Sequence, residues 1–227
     1  MLVAMPPPSP PPEAARPADT PRAAGTVPAA WPALAAGIPP PGGTALLAVV
    51  GSIDGAYAAV EAGAELIELA GFGSAEPRAI GQLRRRHPGV PVCGSSAAAH
   101  LVRQPALARA SGARLICEGM AAAAASGHPA GGLLVQVLPR DIVAAAARGW
   151  LPLVDADLAA ALASRAESGG HDTPATLAAV VALAALSGWL GAAVVRTRHP
   201  VQVGRALALS AAIAGLRAPA RTVRGLA

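Results

Sequence analysis

From residue 44 onward, short apolar runs alternate with alanine-rich stretches that carry polar positions at helical spacing. ALLAVV (45–50) reads as a buried strand ended by Gly51. AELIELAG (64–71), VPVCG (90–94), ARLICEG (113–119), GLLVQVLP (132–139), WLPLVDA (150–156) and GAAVVR (191–196) repeat that form, which makes seven strands. Apolar runs of this length, bounded by Gly or Pro, are typical of strands covered on both faces. Between them the pattern predicts helices over 54–62, 76–86, 99–111, 140–148, 157–167, 174–187 and 200–215. Strand alternating with helix predicts βαβ units and a parallel sheet. Helix ends of the form Ala-Gly-Ala or Ser-Gly-Ala, each followed by a strand, occur at 62 and 111, and GAAVVR (191–196) repeats the Gly-Ala turn into a strand. Glycine closes a helix in the left-handed conformation and feeds a short turn. Repetition of that turn predicts a β/α barrel, incomplete at seven strands.

Residues 1–43 differ in kind. PPPSPPP (6–12) and IPPPGG (38–43) remove backbone donors and block helix and sheet. This stretch predicts a disordered, polyproline-like arm ahead of one domain over 44–227. No signal peptide is visible, since prolines follow Met1–Met5 at once. Thr173–Val195 runs 23 residues without a charge, enough to span a bilayer. Pro174, Gly188 and Gly191 interrupt it, and the preferred reading is one helix plus one strand in a cytoplasmic protein; a membrane-associated protein is the rival.

Composition narrows the chemistry. Hydrophobic residues are 53% of the chain and aromatics only 2%, so Ala, Val and Leu must form the core. All 18 basic residues are arginine, and the chain has neither Lys nor Asn. The ammonium and one side-chain amide are therefore absent from any site. The net charge is +5, yet the arginines are scattered apart from Arg84, Arg85 and Arg86. With few aromatics to stack on bases, this argues against nucleic acid as a partner. Cys93 and Cys117 have no metal-ligand spacing and read as reduced, buried thiols. No metal site is predicted from spacing.

GAAVVRTRHPVQVGRALALSAAIAGLRAPARTVRGLA (191–227) resembles the end of actinobacterial dihydropteroate synthases, where a strand ending in Arg-x-His leads into the last helix. AGAELIELAGFGSAEP (62–77) is similar to that family's second strand and loop, and SGARLICEG (111–119) to its fourth strand. The resemblance spans roughly 44–227. It implies a TIM-type barrel that joins dihydropterin pyrophosphate to p-aminobenzoate in folate biosynthesis, with Mg²⁺ assisting if the protein is active. It also implies a homodimer, or a heterodimer with an active synthase.

Carried over by position, Asp155, Glu68 and Glu118 are the pterin-binding candidates. Arg196, Arg198 and His199 are the phosphate-binding candidates. The His of Arg-x-His is Arg198 here, with His199 one place on; the first-strand Asn is Gly51; the family's Ser-Val-Asp-Thr element is CGSS (93–96); its Asn-Asp pair is Cys117-Glu118. The family's Ser-x-Lys element has no counterpart, and about one βα unit is missing between 155 and 173. These losses imply a degenerate paralogue with weak or no condensing activity; the alternative is a working synthase with substitute residues.

Overall fold

The computed structural model describes residues 43–130, 133–168 and 175–216. The N-terminal arm, save Gly43, and the RTVRGLA tail lie outside the described residues.

Eight parallel strands close into a barrel, each bonded to the next in sequence and β8 to β1. They are β1 (Ala45–Val50), β2 (Leu66–Leu69), β3 (Val92–Cys93), β4 (Leu101–Val102), β5 (Arg114–Glu118), β6 (Leu133–Gln136), β7 (Leu151–Asp155) and β8 (Val194–Thr197). The helices are α1 (Ile53–Glu61), α2 (Glu76–Arg86), α3 (Pro105–Ser111), α4 (Met120–Ala125), α5 (Ile142–Ala146), α6 (Ala156–Glu167), α7 (Leu177–Trp189) and α8 (Pro200–Ile213).

The barrel is closed rather than incomplete, which corrects the seven-strand reading. The additional strand is β4, inside the stretch 99–111 that reads as one helix. Only its second half, α3, is helical. The predicted missing βα unit leaves no gap in the strand ring: α6 and α7 follow one another between β7 and β8 without a strand among the described residues. The shortfall is in the outer layer instead. Residues 94–100 connect β3 to β4 without a helix. A parallel crossover usually needs a dozen residues or more.

Local sequence explains the elements. The Ser52 hydroxyl accepts from Gly55 N at 3.0 Å and starts α1. Asp155 Oδ1 accepts from Leu158 N at 3.0 Å and starts α6, and Thr176 does the same for α7. Gly112, at φ +70°, ends α3 and turns the chain into β5.

Alternation along the strands divides two cores. Leu46, Ala48, Ile67, Leu115, Val135, Val154 and Val195 face the helices and pack with Ala56, Ile80, Leu83 and Ala184. Leu47, Leu66, Leu101, Ile116, Leu134, Leu153 and Val194 fill the barrel itself. Each such buried leucine contributes about 1.5–3 kcal/mol. The uncharged stretch near 173–195 is a 13-residue helix followed by a barrel strand. No helix among the described residues is long and apolar enough to cross a membrane.

Candidate functional site

The inward alternation that places Leu66, Leu101, Ile116, Leu134, Leu153 and Val194 in the barrel places the next inward residue of each strand at its carboxyl end. Those residues are Glu68, Arg103, Glu118, Gln136, Asp155 and Arg196. An apolar barrel floor is thus topped by a polar ring at the C-terminal mouth, the end where barrel enzymes place their sites.

Arg196 holds this ring together. Its Nε donates to Glu68 Oε2 at 2.7 Å and its Nη2 to Glu68 Oε1 at 2.7 Å, a two-pronged pair. Its Nη1 donates to Asp155 Oδ2. Side-chain exposures of 17%, 13% and 9% for Arg196, Glu68 and Asp155 make this a largely buried triad. Burial alone would raise the Glu68 carboxyl, but the Arg196 hydrogen bonds and charge, aided by Arg103, hold it below the ordinary value. Hydrogen bonding to Glu68 pushes the Arg196 guanidinium upward, so it stays charged.

Arg103 is held more loosely. Its Nη1 donates to Glu118 Oε1 and to Gln136 Oε1, both at 3.3 Å, and its Nη2 lies 3.6 Å from Glu68 Oε2. Glu118 is 73% exposed, so that pair lies at the wet rim.

Two cavities flank the ring. One of about 290 Å³ is lined by Asp155, Asp141 and Gln136 with apolar Met120, Val137, Leu138 and Leu158. The other, of about 210 Å³, is lined by Glu68, Glu76, Ser95, Arg103, Gln104, Cys93 and the 71–73 loop with Phe72. Burial, with Glu68 beside it, pushes the Cys93 thiol up to about 12, so it is not a nucleophile at neutral pH. Cys93 and Cys117 are both free and buried.

Glu76 shapes the second cavity from below. It is buried, and its oxygens accept from Ser95 N at 2.8 Å, Ser96 N at 2.8 Å and Ser95 Oγ at 2.8 Å. Burial works to raise its carboxyl; the hydrogen bonds from Ser95 and Ser96 outweigh that and lower it. Gly94 is required here, since a Cβ on it would sit 2.5 Å from Glu76 Oε1.

The structure brings Glu68, Asp155 and Arg196 into one cluster and joins Glu118 to it through Arg103. Arg198 and His199 stand apart from that cluster. The Arg198 N–H donates to Asp157 Oδ2 at 3.0 Å, and His199 Nε2 lies 3.5 Å from Asp157 Oδ1. Sequence reasoning missed Arg103, Gln136 and Glu76. The signal for the first two is the two-residue step from Leu101 and Leu134. Glu76 has a weaker signal, a carboxylate that opens a helix just after a glycine-rich turn.

Among the described residues no group of three His, Cys, Asp or Glu side chains is placed to hold a metal ion. The mouth carboxylates are turned to guanidiniums instead, so this set does not fit the Mg²⁺ that the resemblance implies.

No protein-family model matches the chain, and no curated protein sequence matches it. Solved structures do. Mycobacterium tuberculosis Rv1207 superposes with a TM-score of 0.61 at 18% identity, over 79% of this chain and 95% of that one. The dihydropteroate synthase of Yersinia pestis gives 0.59 at 16% identity, over 76% and 93%. That of Xanthomonas albilineans, solved in complex with 7,8-dihydropteroate, gives 0.60 at 15% identity, over 75% and 93%. The chain therefore has the barrel fold of dihydropteroate synthases, and the expectation drawn from its C-terminal motif holds at the level of fold.

Proposed function

We propose that this chain is a dihydropteroate synthase-like protein of folate metabolism that binds a pterin-type heterocycle at its mouth and has little or no condensing activity. One observation carries the reading: Arg196, the candidate phosphate ligand, is spent on Glu68 and Asp155. Three carboxylates there face two guanidiniums, a net formal charge of −1 among Glu68, Glu118, Asp155, Arg103 and Arg196. Expelling pyrophosphate needs concentrated positive charge at the leaving group. This mouth does not supply it, and the chain has no lysine to add.

Binding without turnover needs less. In the 290 Å³ cavity, the lone pairs that Asp155 keeps beside its bonds from Leu158 N and Arg196 can accept from the paired N–H groups of an aminopyrimidinone ring, while the Gln136 amide can donate to its acceptors. Met120 and Leu158 offer apolar walls for the ring faces. Glu68 and Glu118 complete the polar rim, and no step is routed through Mg²⁺. A partner barrel, a second copy or an active synthase, is the companion reading. It is supported by Leu186, Trp189, Leu209 and Ile213, exposed on the adjoining helices α7 and α8.

Calorimetry with dihydropterin pyrophosphate tests binding, run beside an assay for dihydropteroate. The expected result is saturable heat, reduced about tenfold in affinity by Asp155→Asn, with product at or near background. Turnover at the rate of an ordinary synthase overturns the claim of decay, and absence of heat overturns the claim of binding.

A further inference from the structure

The two arginines of the mouth differ in what it takes to recruit them. Freeing Arg196 means uncoupling a buried, two-pronged pair and a second carboxylate, which strands charges away from water. Recruiting Arg103 means giving up its 3.3 Å contact to Glu118, a carboxylate that is 73% exposed and readily solvated, while its 3.3 Å bond to Gln136 and its 3.6 Å approach to Glu68 stay in place. Exposed pairs of that kind are weak. Arg103 is itself 30% exposed at the side chain, and it lines the 210 Å³ cavity.

We propose that Arg103 is the anion-recognising residue of the mouth and that its ligand carries a carboxylate, which enters the 210 Å³ cavity and takes the place of Glu118. The other charged groups of that cavity are already engaged. Glu68 is neutralised by Arg196, and Glu76 is saturated by Ser95 and Ser96. The guanidinium of Arg103 is the cation that lines this cavity, and its bond to the exposed Glu118 is the one a ligand can replace. Its planar fork matches a carboxylate with two parallel N–H bonds. Charge selects the carboxylate over a phosphate. Glu118 swings into water as the ligand arrives, so a monoanion leaves the mouth's net charge unchanged, whereas a phosphate dianion adds negative charge beside Glu68. Leu69 and Phe72 line the same cavity and give the ligand's carbon skeleton an apolar wall. This assignment does not rest on the pterin reading, since it concerns the other cavity.

Titration with butyrate, followed by amide NMR shifts, tests it. The expected result is saturable binding in the millimolar range, with shifts at Gly94, Ser95 and Gln104. Arg103→Gln weakens it about tenfold or more, and Glu118→Gln tightens it about two- to fivefold. Inorganic phosphate binds more weakly than butyrate. Should Arg103→Gln fail to fold by circular dichroism, Arg103→Lys keeps the charge without the fork and gives an intermediate loss. The proposal is overturned if butyrate binds Arg103→Gln or, in its place, Arg103→Lys as well as wild type. It also fails if Glu118→Gln gives no gain, if phosphate binds more tightly, or if wild type shows no saturable butyrate shift. Butyrate contains no pterin, so its binding and the pterin heat succeed or fail separately.

Discussion

The barrel is held in two different ways around its circumference. From β5 through β8 and on to β2, each neighbouring pair of strands aligns three or four residues, and backbone bonds do most of the joining. The arc of β3 and β4 has one aligned pair, Cys93 with Leu101, and no helix over the connection. Side chains replace the ladder there. Glu76 gathers the Ser95 and Ser96 N–H groups, His100 Nδ1 accepts from Val92 N at 3.1 Å, and Arg84 donates to Ala98 O at 2.7 Å. A short ladder can thus close a barrel when buried side chains satisfy the backbone groups it leaves over.

Four measurements sharpen or break that contrast. Arg196→Met should have the largest effect, because it leaves Glu68 and Asp155 uncompensated on three laddered strands. A loss of about 3–5 kcal/mol in chemical denaturation is expected, spread over the whole barrel. A loss confined to β3 and β4 would reverse the assignment of strong and weak arcs.

Glu76→Ala comes next, with about 2–4 kcal/mol from orphaned donors at Ser95 and Ser96. Hydrogen exchange should quicken first at the Gly94 amide, which donates to Leu101 O, before the Ala45 amide, which donates to Ala193 O. Equal quickening at both would mean the thin arc is no weaker than the rest. Gly94→Ala should cost about 1–3 kcal/mol through overlap with Glu76, and pairing it with Glu76→Ala should recover most of the clash.

The smallest effect is pH dependence. The backbone N–H of Val92 can only donate, so His100 Nδ1 must accept and the ring must be neutral. Burial, and then Arg84, lower the His100 value below 6.5. The unfolded chain therefore takes up the proton first as pH falls. Stability from His100 is full above 6.5 and is lost as pH drops through the depressed folded value. Glu76 behaves alike lower down: its contribution is full above 4.5 and fades as pH falls through its depressed value. Protection at the Val92 amide should fall between pH 7 and 5 relative to Ala45. His100→Gln should remove that step, and an unchanged step would sink the neutral-ring argument.

How much of this is legible in the sequence follows the same division. Strands such as ALLAVV and LLVQVL announce themselves, because a short, nearly unbroken apolar run bounded by Gly or Pro does not fit a solvated helix face. Leu101–Val102 does not, since two residues inside AAAHLVRQP carry no period and the neighbouring alanines suggest a helix. Met120–Ala125 is an alanine run with no side-chain cap hydrogen bond to mark its start. The site divides likewise. Glu68, Asp155 and Arg196 are found because strands β2, β7 and β8 are found. Arg103 is hidden along with β4, for without the strand nothing says which way its side chain turns. Gln136 sits on a legible strand, but its inward turn depends on the register from Leu134.

Closure has a consequence for synthesis. β8 supplies the partner for both β1 and β7, and its Arg196 reaches back 128 positions to Glu68. Until residues 194–197 clear the ribosome, the nascent sheet has two bare edges rich in valine and leucine, the template on which chains stick to one another. A messenger truncated before that point leaves β1 and β7 without the strand that joins them, and so yields an open, aggregation-prone sheet rather than a smaller barrel.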